Sequence, residues 1–92
     1  MPQITKEHAL KIAKKLKAEV EPGNAHDLAN IYEGGLLIAQ FGIRRGSKKN
    51  LGHDYIPGEL YISAHDAKEI AICHYYRDWY IKTLSKKGMI KA

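Results

Sequence analysis

The stretch Asp27-Leu28-Ala29-Asn30-Ile31-Tyr32-Glu33-Gly34-Gly35-Leu36-Leu37-Ile38-Ala39-Gln40-Phe41-Gly42-Ile43-Arg44 decides the fold class. Its two arms, residues 27–33 and 36–44, read as strands, and Gly34-Gly35 between them meets the positive φ that a two-residue hairpin turn demands. Successive side chains of a strand point to opposite faces. Leu37, Ala39, Phe41 and Ile43 therefore share one face and are expected in the core. Leu36, Ile38, Gln40, Gly42 and Arg44 share the other, which begins apolar and ends polar. Its Leu36/Ile38 end is expected to lie beneath a helix or a partner.

On the N-terminal side of the hairpin, residues 5–20 read as a helix. Thr5 is suited to the N-cap, with Ile4 placed to staple against Ala9. Ala9, Ile12, Ala13, Leu16 and Val20 fall at helical spacing and form one apolar stripe, and Pro22 is the expected stop. On the C-terminal side, Pro57-Gly58 reads as a turn and residues 59–62 as a short third strand. Ser63 and Asp66 have the spacing of a capping box, opening a helix with Ala67, Ile70 and Ala71 on its buried side. A last helix is expected over residues 76–87, closed by Gly88. The expected architecture is a single α+β domain spanning residues 1–92, in the order α-β-β-β-α-α, with a three-stranded antiparallel sheet covered by helices on one face.

Ninety-two residues with 45% hydrophobic content suffice for one small core. The net charge of +5 attracts the chain to polyanions, whether RNA, DNA or an acidic protein. No apolar run approaches the roughly 20 residues that span a bilayer, and Met1-Pro2-Gln3-Ile4-Thr5 lacks the layout of a signal peptide. Membrane partners are therefore not expected, and the cytoplasm is the expected location. Cys73 is the only cysteine, which excludes an internal disulfide and a Cys-rich zinc site. Neither a metal nor a cofactor is expected.

Directly after the hairpin comes Arg44-Arg45-Gly46-Ser47-Lys48-Lys49-Asn50-Leu51-Gly52-His53-Asp54, with four cations and two glycines in a loop. Backbone N–H groups beside glycine, Arg forks and Lys ammoniums all suit phosphate oxygens, so Arg44, Arg45, Lys48 and Lys49 are candidate nucleic-acid contacts. Lys11, Lys14 and Lys15 share the polar face of the first helix and are candidates for the same role, or for docking on an acidic protein.

Five histidines offer acid–base chemistry. His8 and His65 fall in first turns of helices and His74 at a helix junction, where packing and capping account for them. His26 opens the first strand of the hairpin and His53 ends the cationic loop, so the two converge if the loop folds back. Histidine exchanges protons near neutral pH, as cleavage of RNA by its own 2′-hydroxyl requires, while neighbouring cations stabilise the charge that develops on phosphoryl oxygens. His26 and His53 are the candidate catalytic residues.

The α-β-β-β-α order and the Gly23-x-x-His26 approach to the hairpin resemble the HicA-type toxins, small basic ribonucleases with a double-stranded-RNA-binding-like fold. The resemblance spans the first helix through the second strand and implies a catalytic role for His26 alone. It also implies a toxin–antitoxin setting, in which a small acidic protein is the partner.

The aromatic segment Tyr75-Tyr76-Arg77-Asp78-Trp79-Tyr80 could stack on bases. Its helical spacing instead sets Tyr76, Trp79 and Tyr80 on one face for core packing, leaving Tyr75 as the exposed member. Two functional readings stay open: an RNA-binding, metal-independent endoribonuclease, and a non-catalytic module that binds nucleic acid or an acidic partner. The half-apolar outer face of the hairpin is compatible with a homodimer.

Overall fold

Gly34 and Gly35 take φ angles of 59° and 81°, the positive values that a primed turn needs. They join β2 (His26–Glu33) to β3 (Leu36–Arg44) as an antiparallel hairpin. The computed structural model describes residues 4–23, 26–45, 52–72 and 75–89. The remaining elements are α1 (Lys6–Lys15), β1 (Glu19–Glu21), α2 (Ile56–Glu59), α3 (Ala64–Ala71) and α4 (Arg77–Lys86). The sheet is three-stranded and antiparallel in the order β1-β2-β3, and the protein is of the α+β class.

Ala29, Ile31, Ala39, Phe41 and Ile43 of the hairpin are buried together with Ile12 and Leu16 from the first helical segment and Ala67 and Ile70 from α3. Leu37 departs from expectation and stays half exposed. The register shifts between Ile31 and Tyr32, so that Ile31 pairs with Ala39 but Tyr32 pairs with Leu37. Ile38 is the extra residue of this bulge, and Ile38, not Leu37, packs against the core. One inserted residue reverses the alternation beyond it. Leu36 is exposed at the hairpin tip.

The third strand is not where the sequence pattern puts it. The first helix ends at Lys15 rather than near Val20, and residues 19–21 pair with β2 as Glu19–Asn30, Val20–Ala29 and Glu21–Leu28. The cause is a left-handed residue, Lys17, at φ 54°. Its N–H donates to the Lys14 carbonyl (3.2 Å) and that of Ala18 to the Ala13 carbonyl (2.9 Å), which closes the helix in a Schellman motif. Residues 59–62 are not a strand but the end of α2. Tyr61 takes φ 62°, and the N–H groups of Tyr61 and Ile62 donate to the carbonyls of Gly58 (3.2 Å) and Pro57 (3.1 Å). The same motif recurs at the end of α4, this time on Gly88 at φ 73°. There Gly88 donates to Ser85 and Met89 to Leu84, both at 3.0 Å.

Thr5 and Ser63 are N-caps as expected, but the reciprocal box forms at Thr5 and only the Ser63 half of the other is seen. Thr5 accepts from the His8 N–H (3.3 Å) and His8 Nδ1 accepts from the Thr5 N–H (3.1 Å), a reciprocal box with histidine in place of the usual Glu. Ser63 Oγ accepts from the Asp66 N–H at 3.1 Å. In the aromatic segment Tyr80 is fully buried, whereas Trp79 is half-buried and stacks on Tyr75 with centroids 4.1 Å apart. Tyr76, expected in the core, is 57% exposed. Among the described residues no helix is long and apolar enough to cross a membrane.

Candidate active site

His26 is the first residue of β2 and lies opposite Arg44 across the hairpin. Both belong to the face turned away from the core, along with the facing pair Leu28 and Gly42. Two glycines fix the histidine. A Cβ on Gly23 would fall 2.2 Å from the His26 carbonyl oxygen, so no other residue fits there without moving the strand. A Cβ on Gly42 would sit 3.3 Å from the imidazole Cδ2, so the ring lies directly over the glycine of β3.

β3 is an edge strand, and its outer edge is closed by side chains from residues 53–59. The Gly42 carbonyl accepts from the Tyr55 hydroxyl at 2.5 Å, and the Gly42 N–H makes a long bond of 3.4 Å to Glu59 Oε1. The Arg44 N–H donates to His53 Nε2 at 2.9 Å. These bonds occupy backbone groups that would otherwise be open to another strand. The segment is anchored in turn to the start of α1. The His53 N–H donates to the Ile4 carbonyl, and Asp54 Oδ1 accepts from the Ile4 N–H, both at 2.7 Å.

The result is a cleft of about 430 Å³ lined by His26, Leu28, Gly42, Arg44, Tyr55 and Glu59. Tyr55 organises it. Its ring meets His26 edge-on, with centroids 6.3 Å apart, and lies 5.6 Å from the His53 ring on another side. The Arg44 guanidinium carbon stands 5.6 Å from the same ring. Burial pushes the Tyr55 hydroxyl above its ordinary ionisation range; the Arg44 charge opposes this and the Glu59 charge adds to it. Tyr55 therefore keeps its proton and serves as a fixed donor to Gly42.

Both candidate histidines pack against the Tyr55 ring, but they are not equivalent. His26 is exposed at the cleft. His53 is fully buried, and its Nε2 accepts a backbone N–H, which is a supporting position behind the wall of the site. Arg45 is not part of this cleft; it pairs with Asp27, Nε to Oδ1 at 3.1 Å, whose side chain leaves β2 on the face opposite His26. Lys48 and Lys49 lie outside the described residues.

Lys11, Lys14 and Lys15 are elsewhere. They line a separate groove of about 620 Å³ with Ala71, Ile72 and Tyr76, which shares no residue with the histidine cleft. Lys11 pairs with Glu7 at 3.6 Å. The buried Lys15 Nζ has no hydrogen-bond acceptor among the described residues and sits 4.2 Å above the Tyr76 ring.

Tyr55 and Glu59 are site residues that sequence reasoning missed. Their signal was Gly42, a glycine in the interior of a strand, which marks a close approach by another group. Among the described residues no group of three or more His, Cys, Asp or Glu could hold a metal ion. The chain matches no family model, and neither curated proteins nor solved structures show a significant similarity to it.

Proposed function

We propose that this protein binds RNA and cleaves it as a metal-independent endoribonuclease of the toxin type, with His26 as an acid–base group. The observation that carries the reading is the exposed His26 ring, held over Gly42 in a cleft that also presents Arg44. An imidazole can transfer a proton to or from a ribose or leaving oxygen, and a guanidinium suits the phosphate between them. The resemblance of the Gly23-x-x-His26 segment to HicA-type toxins points the same way, and the close approach of Gly23 to the His26 carbonyl gives that spacing a physical basis.

The test is incubation of the purified protein with RNA in EDTA. Fragments ending in a cyclic phosphate or a 3′-phosphate are expected. His26→Ala should keep RNA affinity and fold while lowering the cleavage rate by about 10²–10⁴-fold. An intact substrate with the wild-type protein rejects the enzyme reading.

A second reading has its own observation. The groove bearing Lys11, Lys14 and Lys15 over exposed Ile72 and Tyr76 combines cations with apolar surface. That chemistry suits an acidic protein segment, so the chain would act as a binding module, or as an enzyme whose small acidic partner docks away from the histidine cleft. Binding of RNA without cleavage, with loss of protein-partner binding on replacing the three lysines, is the outcome that favours it.

A further inference from the structure

Cleavage of RNA through its 2′-hydroxyl needs two proton transfers, one from the entering oxygen and one to the leaving oxygen. The sequence offered His26 and His53 for these, but the Nε2 of His53 is engaged with the Arg44 N–H and the ring is buried. The remaining cleft residues narrow the choice. Arg44 stays charged at any relevant pH and cannot act as a base. Tyr55 donates its proton to the Gly42 carbonyl. Leu28 and Gly42 carry no transferable proton on a side chain. Asp27, next to His26 in sequence, points to the opposite face of β2 and is paired with Arg45. Among the described residues, Glu59 is the other titratable group that lines the cleft and is exposed to solvent.

We propose that Glu59 is the second catalytic residue, the general base opposite His26 as general acid; this rests on the ribonuclease reading above. Both side chains abut Gly42. A Cβ there would lie 3.3 Å from the His26 ring, and the Gly42 N–H reaches Glu59 Oε1 across 3.4 Å. Backbone dimensions then keep the ring and the carboxylate within about 9 Å of each other. In-line displacement at phosphorus places the entering and leaving oxygens on opposite sides, each within hydrogen-bond reach of its own group, which also limits acid and base to about 9 Å apart.

The roles follow from what each side chain can do in hydrogen bonding. A carboxylate only accepts, which suits the base, and an imidazolium only donates, which suits the acid. Glu59 takes the proton of the 2′-hydroxyl as the 2′-oxygen bonds to phosphorus. The bond from phosphorus to the 5′-oxygen breaks, and that oxygen takes the proton of His26. The products are a 2′,3′-cyclic phosphate and a 5′-hydroxyl, and exchange with water returns the proton from Glu59 to His26. The charged and titratable groups facing this pair are Arg44 from β3 and Tyr55 from the turn into α2, with His53 packed behind Tyr55.

The test is the pH–rate profile of RNA cleavage for the wild type, Glu59→Gln, Glu59→Asp and His26→Ala, with circular dichroism on each sample. The wild type should show a bell, with an acid limb from the carboxylate and an alkaline limb from the imidazolium. Glu59→Gln keeps an oxygen acceptor for the Gly42 N–H, so a purely structural role would survive it. The expectation is a rate loss of about 10²-fold or more, no acid limb, and unweakened RNA binding. Glu59→Asp should keep the acid limb at a reduced rate. A Glu59→Gln protein that cleaves within a few fold of the wild type and keeps the acid limb overturns the assignment, and leaves the enzyme reading standing if His26→Ala is inactive. A Glu59→Asp protein without an acid limb also overturns it. A wild-type protein that cleaves no RNA removes both.

Discussion

At the scale of single residues, His8 shows how a titrating side chain can be built into a helix start. It accepts the Thr5 N–H through Nδ1, the part a Glu usually plays in a capping box, and only the neutral ring can do so. Burial holds its pKa below 6.5, the nearby Lys68 and Lys11 charges add to this, and Glu7 opposes them. The unfolded chain therefore binds more protons than the folded one as pH falls through that range, and stability rises with pH. The contribution of His8 is present above about pH 6.5 and is lost as pH falls from there through the lower folded value. A lost cap costs about 0.5–2 kcal/mol. Denaturant unfolding at pH 7.5 and pH 5 should show His8→Gln, whose acceptor does not titrate, close to the wild type at the higher pH and less weakened at the lower. Equal losses in the two proteins would remove the cap from the pH response. Gly42 belongs to the same scale, since its missing Cβ leaves room for the His26 ring while its N–H reaches Glu59.

At the scale of elements, three helices end in the same left-handed motif, and only one of those ends could be read in advance. Gly88 closes α4 at a residue type that adopts positive φ without cost, so sequence and structure agree. Lys17 and Tyr61 close α1 and α2 in the same geometry at a cost of roughly 1 kcal/mol or more each, and nothing in their side chains announces it. The displaced third strand follows from this: Glu19–Glu21 is free to pair with β2 because α1 stops at Lys15, and residues 59–62 turn instead of extending. The hairpin, by contrast, was legible in Gly34-Gly35 and the alternation of its arms, apart from the bulge at Ile38, which depends on packing. In the site, His26 was legible from Gly23 and Arg44 from its place at the end of the strand, whereas Tyr55 and Glu59 depend on a long-range approach to the β3 edge. Helix α4 is held by the ends of three other elements. Arg77 donates to the carbonyls of Leu16 (2.8 Å) and Tyr32, and the Tyr80 hydroxyl to that of Leu60 (3.0 Å). Tyr80, not Trp79, is thus the aromatic anchor. Tyr80→Ala should cost about 3–5 kcal/mol, as deletion of a large buried aromatic does. Trp79→Ala should cost less, because the ring is only half-buried. Thermal melts of the two variants give the order, and a larger loss at Trp79 would contradict this anchoring.

At the scale of the molecule, the excess of 15 Lys and Arg over 10 Asp and Glu is unevenly placed, and the placement separates the two functional readings. Arg44 lines the histidine cleft, with Arg45, Lys48 and Lys49 following in sequence, while Lys11, Lys14 and Lys15 occupy the groove against Ile72 and Tyr76. The short edge strand β1 carries exposed Glu19 and Glu21, charges that discourage pairing with another chain along that edge. Each cation that neutralises a phosphate of single-stranded RNA releases counterions, and the affinity falls with salt at a log–log slope of about −0.7 per contact. If RNA lies across the histidine cleft, replacing Arg44, Arg45, Lys48 and Lys49 by Ala should flatten that slope by up to about 2.8 in all. Replacing Lys11, Lys14 and Lys15 should leave the slope almost unchanged. Titrations at several salt concentrations, with melting curves to show that both variants remain folded, decide the matter. Flattening on loss of the α1 lysines alone would move the RNA to the other groove, away from His26. The catalytic assignment could not survive that result, because a scissile phosphate must lie within hydrogen-bond reach of the acid and the base that act on it.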